Sequence, residues 1–386
     1  MRRDCARRTR ATENMGKNLF RDGNEPVSCS FGKKPVSFAL SGMPGVNFRD
    51  PRRKISDRIA VVERSLIDPW GYSMWTRMTI GLSARALLLL LSLSVLSGCS
   101  VRKIAIKNLG DALAESGDTF ASDNDPELVK QALPFSLKLI ESLLAESPEH
   151  RGLLLAACSG FTQYAYAFAR EEADEMEPRD YASAVEIRAR ARNLFLRARD
   201  YGVRGLETTH PGLGSSLDKD PKGAVRAAKP ADVPLLYWTA ASWGLAITLS
   251  KNEPALIADQ PVVEALVDRA LELNEAFEEG AIHSFLISYE PARQGAEGDP
   301  LERARRHFDR AMELSGGHQA GPLVSLAESV SIARQDRKEF QSLLERALAI
   351  DVNVKPEYRL ANLVMQRRAR WLLSRIDELF LPPDVE

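Results

Sequence analysis

A chain of 386 residues, 44% hydrophobic and 7% aromatic, holds enough apolar material for two or three ordinary domains, which excludes a disordered or fibrous protein. Its 52 basic and 53 acidic residues balance only in sum: residues 1–98 hold 17 and 8, a net of +9, whereas residues 99–386 hold 35 and 45, a net of −10. The acidic part has no surplus positive charge with which to displace counterions, which argues against nucleic acid as a partner.

Residues 1–73 are rich in Arg, Gly and Pro and show neither helical nor alternating periodicity, so they are expected to be disordered. From Met74 the chain runs MWTRMTIGLSARALLLLLSLSVLSGCS. Arg77 and Arg85 form a positive flank, Ala86 to Leu96 is an uncharged run, and Leu96-Ser97-Gly98-Cys99 closes it. That is the layout of a secretory signal, and its core is shorter than the ~20 residues a spanning helix needs. It resembles the lipobox of bacterial lipoproteins, in which the cysteine carries diacylglycerol and becomes the first mature residue. The resemblance implies a signal peptide over 74–98 and lipid on Cys99. An export signal acts at the amino terminus, so residues 1–73 read as upstream sequence translated from a misassigned start, with Met74 or Met78 the true one. Ser100 is not the Asp that often retains such proteins at the inner membrane, which favours the outer membrane.

Residues 99–117 read as a lipidated tether and first helix, and residues 118–386 as one all-α domain. Helix boundaries are written in ordinary capping chemistry: Asp125-Pro126 opens a helix and Ser147-Pro148 ends it. Glu253-Pro254, Gln260-Pro261, Asp299-Pro300 and Lys355-Pro356 punctuate the remainder. Residues 152–169 place Phe161, Tyr164, Ala165 and Phe168 on one helical face, and residues 233–249 are apolar nearly all round, which demands a central or covered position. Between them, residues 209–230 read as a long Gly, Pro and Lys loop.

Four segments share a pattern: ARNLFLRARDY, VEALVDRALEL, ARRHFDRAMEL and FQSLLERALAI. In each, a bulky apolar residue (Phe195, Val267, Phe308, Leu344) stands three before an alanine (Ala198, Ala270, Ala311, Ala347). The alanines are 72, 41 and 36 residues apart, close to two, one and one periods of a helical hairpin of about 34 residues. The second helix of such a hairpin must approach its neighbours closely at one point, so a small residue belongs there. SLKLIESLLAESP, ending at Pro148, is a degenerate fifth copy. The expected fold is therefore tetratricopeptide-like, its helical hairpins forming an α-solenoid or compact bundle.

Catalytic motifs fail on inspection. No GxxxxGK, GxSxG or HExxH occurs, no two of the five histidines stand at i, i+4, and the four cysteines lack CxxC spacing. Glu328-Ser329 lacks the glycine-rich and Met-Gln stretches a lytic transglycosylase carries downstream, and Cys158 among alanines reads as core packing. No catalytic residue, metal or cofactor is expected. What remains is aromatic: Tyr164, Tyr166, Phe168, Tyr237, Trp238, Trp243, His283, Phe285 and Tyr289 concentrate in three first helices. Each could be plain core; together they could line a groove with phenol, indole and imidazole as polar handles.

The Leu-Tyr-Trp run at 236–238, Gly-Ala-Ile-His at 280–283 and Asn-Leu-Val-Met-Gln-Arg-Arg-Ala at 362–369 distinguish the chain from general tetratricopeptide proteins. With the flanking segments 233–252, 268–290, 304–317 and 340–373, the chain from Cys99 to about Phe380 resembles the T-component (TatT) lipoproteins of TRAP transporters, the tripartite ATP-independent periplasmic uptake systems. The resemblance implies a periplasmic helical-repeat lipoprotein, not an enzyme, that forms a homo-oligomer, works with the solute-binding protein of the transporter and passes an apolar ligand. A tetratricopeptide lipoprotein serving outer-membrane assembly is the competing reading, and it would not need the aromatic first helices.

Overall fold

The computed structural model describes residues 107–113 and 117–382. The signal run, Cys99 and residues 1–73 lie outside them. The described chain is all-α, with no strand.

Helix α1 spans Pro126–Glu146, and Asp125 caps it by accepting from the backbone N–H groups of Glu127 and Leu128. Helix α2, Arg151–Tyr164, runs through a π-helical turn, Ala165–Arg170, into α3, Glu171–Met176. Helix α4, Tyr181–Glu207, returns along α2, with Asp180 as its cap. Then come α5, Val233–Thr248; α6, Gln260–Leu273; α7, Ala281–Tyr289; and α8, Pro300–Leu314. Helix α9, Gly321–Leu326, again ends in a π-helical turn, Ala327–Ser331, before α10, Arg337–Leu348, and α11, Arg359–Ser374. Each helix packs mainly on its sequence neighbours: α2 on α4, α5 on α6, α7 on α8, α10 on α11. The array is therefore a succession of antiparallel pairs, built locally.

Residues 209–230 are more ordered than a plain loop. They fold into two short helices, Leu213–Leu217 and Pro221–Ala224, because Gly212 supplies the positive φ of 80° that starts the first and Asp220 caps the second.

The four patterned alanines are buried where their helices meet neighbours, with Ala198, Ala270 and Ala347 at 0% exposure and Ala311 at 1%. Helix α8 shows why. Ala304, Phe308 and Ala311 are its buried residues, at the i, i+4, i+7 spacing of one face, while its arginines reach outward to neighbouring helices. Arg305 pairs bidentately with Glu339 of α10 at 2.6 and 3.1 Å. The α7 entry lies tight against this face: a Cβ placed on Gly280 would stand 3.3 Å from the Ala311 Cα.

Two hydrophobic clusters form the core. One gathers Phe195, Leu236, Tyr237, Trp243 and Leu266 in the middle of the chain. The other joins Phe161, Tyr164 and Phe168 near one end to Phe308, Phe340 and Met365 near the other. The two ends of the described chain thus meet. Arg367 of α11 pairs bidentately with Glu175 of α3 across 192 positions, and Arg359 donates to the carbonyl of Ser122 at 2.8 Å.

Candidate functional site

The aromatic candidates separate by burial. Tyr164 and Phe168 lie in the core with ring centroids 5.6 Å apart, and Arg190 of α4 donates to the Tyr164 hydroxyl at 3.4 Å. Trp243 is buried beneath Arg199, which lies 4.9 Å over its ring, and donates its indole N–H to Asp259 at 3.1 Å. Tyr289 is buried against Phe285, 5.4 Å away. These four pack the fold. Tyr237 is also buried, but it bridges to rings that keep part of their surface open: Trp238 at 4.9 Å, Phe277 at 5.4 Å and Phe285 at 6.5 Å. Burial pushes its phenol well above the usual range.

Tyr166, in the first π-helical turn, carries Arg170 stacked 4.9 Å over its ring. From that turn a charged seam runs inward. Arg368 of α11, 6% exposed, donates to Glu328 of the second π turn from Nε at 3.1 Å and Nη2 at 2.7 Å. The same guanidinium reaches Glu171 and Asp174 of α3, each at 3.1 Å, and lies 4.3 Å over the Trp371 ring. Arg188 of α4 takes the other Asp174 oxygen at 3.1 Å. Burial raises the Glu171 carboxyl to about 7 even with Arg368 and Arg170 beside it. For Arg368 burial works against the charge, and the Glu328 and Glu171 carboxylates outweigh it. Both π-helical turns therefore supply members of this seam, and such turns recur at functional sites.

A separate cavity of about 770 Å³ is lined by Asp268, Glu272, Glu275, His283 and Arg293 among others. Of the aromatic candidates, His283 alone reaches it. Behind it the fold brings His283 and His307 together, Nδ1 to Nδ1 at 2.8 Å. No i, i+4 spacing announces this pair, because 24 residues and a change of helix separate the two. The charged seam escaped too: Glu328 and Arg368 look like ordinary exposed helix residues until α9 and α11 are packed.

Chemically, the described residues gather no group of three His, Cys, Asp or Glu able to hold a metal ion. The Cys158 thiol is fully buried and pushed up to about 12 by desolvation, so it is a packing group rather than a nucleophile. Glu328 is clamped by Arg368 in an ion pair. Among the described residues no helix is long and apolar enough to cross a membrane.

A family model described as the TRAP transporter T-component matches residues 122–380. An uncharacterized protein of Treponema pallidum (strain Nichols) is 28% identical over 303 residues, covering 74% of this chain and 94% of that protein.

Proposed function

The chain belongs to the TRAP transporter T-component family, and on that premise we propose that it is a periplasmic accessory of such a transporter, tethered to the outer membrane by lipid on Cys99. In this reading its helical hairpins are tetratricopeptide-like, it forms a homo-oligomer, and it docks the solute-binding component. The open faces of Trp238, Phe277 and Phe285 around Tyr237 contact a small ligand, while Tyr164, Phe168, Trp243 and Tyr289 hold the wall behind them. The observation that carries the proposal is the family match, which runs from before α1 to the end of the described helices. The aromatic patch adds to it, since an outer-membrane assembly scaffold has no need of partly open rings.

The test is capture from cells with the full chain tagged at its carboxyl end. Mass spectrometry of the bound proteins should return a TRAP solute-binding protein. Recovery of outer-membrane assembly proteins instead would refute the transporter role. Mass analysis of the native amino terminus should find diacylglycerol on Cys99, and a mature product that keeps residues 1–73 would refute the export route.

A further inference from the structure

Seven large hydrophobic side chains stand exposed among the described residues, and three of them, Leu109, Leu128 and Phe135, fall near the start of the described chain. Two of these belong to α1, which has a second apolar face. Val129, Leu137, Ile140, Leu143 and Leu144 form the buried one. Leu128, Ala132, Phe135 and Leu139 form the other: at the helical period they fall within about 60° of one another and run along about three turns. Leu128 is 56% exposed and Phe135 74%, with Ala132 and Leu139 half-buried beside them. Gln131, Lys138 and Ser142 border this stripe with polar groups. Glu141, about 150° away round the helix, accepts from the Tyr201 hydroxyl of α4 at 2.8 Å, so α4 lies on the polar side of α1 and leaves the stripe uncovered.

What covers this face follows from where the chain enters the fold. Gly110 lies against the start of α2, where an added Cβ would stand 3.0 Å from His150 Nε2, and the Asp111 carboxylate stands 3.2 Å from the same nitrogen. The entry is therefore beside the turn that follows α1. Cys99 precedes Lys107 by eight residues, a contour of at most about 29 Å. Phe135 stands roughly 17 Å along α1 from Glu146. A bilayer that holds lipid on Cys99 is thus within reach of the stripe.

We propose that α1 lies along the bilayer surface with Leu128 and Phe135 entering the headgroup boundary, so that the lipid anchor and this face together fix how the body stands on the membrane. The inference rests on the lipid-anchor reading above. Lipid is favoured over a second copy because a single stripe with two large exposed side chains falls far short of the roughly 800 Å² per partner that a stable dimer buries. It is favoured over a small ligand because a convex helix face encloses nothing. An amphipathic helix lies in the interface plane with its apolar side down, and a leucine and a phenyl ring two turns apart give it two points of contact. The Gln131 and Lys138 border then stays among the headgroups.

The experiment uses the full chain purified from membranes and reconstituted in vesicles of phosphatidylethanolamine with a minor share of phosphatidylglycerol, with and without acyl-brominated lipid. Phe135→Trp and Tyr181→Trp are each compared with the unmodified chain, whose own tryptophan fluorescence is subtracted. Tyr181 is the control, because it is 67% exposed at the start of α4. Brominated lipid should lower the fluorescence added by Phe135→Trp at least about twofold and leave that added by Tyr181→Trp unchanged. Leu128→Trp repeats the reading at the second contact, so the test survives a poorly folded Phe135→Trp. Equal quenching at all three positions, or none while the chain floats with the vesicles, would overturn the proposal. Should quenching be absent and Phe135→Asp lower the mass of the assembled protein, the face joins copies of the chain instead. A chain that does not float overturns the lipid-anchor reading and this proposal with it, so flotation separates the two failures.

Discussion

The Nδ1 atoms of His283 and His307 face each other at 2.8 Å, so one imidazole must donate and the other accept; a first proton taken at the donor's Nε2 leaves that bond in place, and only a second, charging both rings, turns it into a repulsion. The charges around them offer partial relief. Glu275 lies 3.5 Å from His283 and Glu290 3.9 Å from His307, but Arg293, Arg306 and Arg310 oppose protonation. Burial lowers both rings, and with the charge of its neighbour it takes His307 to about 4.

The pair therefore predicts an acid sensitivity with a definite sign. Folded values below the ordinary 6.5 mean that the unfolded chain binds more protons between the two, so stability is full above about 6.5 and is lost as pH falls toward 4. Urea unfolding should show a lower midpoint at pH 5 than at pH 7, and His307→Gln should shrink the difference. Equal losses in both chains would mean that the pair does not titrate in that window.

Glu171 predicts the opposite slope. Its folded value, about 7, lies above that of an unfolded carboxyl, so the native chain binds the extra proton and stability declines as pH rises from about 4.5 to 7. Glu171→Gln should flatten that decline. Arg368→Met should instead destabilise the fold by about 3 to 5 kcal/mol, because the buried Glu171 and the half-buried Asp174 and Glu328 are left without their shared cation. Chemical denaturation at pH 5 and 7 reads both; an unchanged midpoint for Arg368→Met would mean that water replaces the guanidinium.

Ala311→Leu and Ala347→Leu should each cost about 1 to 3 kcal/mol by overpacking. Ala311 is pressed by the Gly280 entry to α7, and Ala347 is fully buried, its carbonyl accepting from Gln366 of α11 at 3.1 Å. Circular-dichroism melts measure it. Two unchanged melting temperatures would show that the helices can part at these points.

Much of this architecture is legible in the sequence because it is local. Asp125-Pro126 and Asp299-Pro300 announce helix starts through capping chemistry, and each patterned alanine marks the buried face of its helix because close approach admits nothing larger. The site is less legible. A buried Tyr164 and a partly open Trp238 have the same signature in an aromatic-rich helix, and only packing tells them apart. Glu171, Glu328 and Arg368 are distant in sequence and of a type that usually faces solvent; the closure of α11 onto α3 buries them.

That difference between Tyr164 and Trp238 yields the last prediction. Tyr164 is 7% exposed and packs against Phe168 in the cluster that joins the two ends of the described chain, so Tyr164→Ala should cost about 3 kcal/mol or more, as large aromatic truncations in a core do. Trp238 keeps part of its ring in solvent, and its truncation leaves a smaller void, so Trp238→Ala should cost less than half as much. If the open aromatic patch serves uptake, the two variants impair it by different routes. Tyr164→Ala reduces uptake in proportion to the folded protein lost from the membrane, and a lower growth temperature restores both. Trp238→Ala reduces uptake at normal abundance, and cooling does not restore it. Comparing uptake per molecule of membrane-bound protein at two temperatures separates them. Normal uptake per molecule in Trp238→Ala would remove the patch from the transport role and leave it as part of the wall.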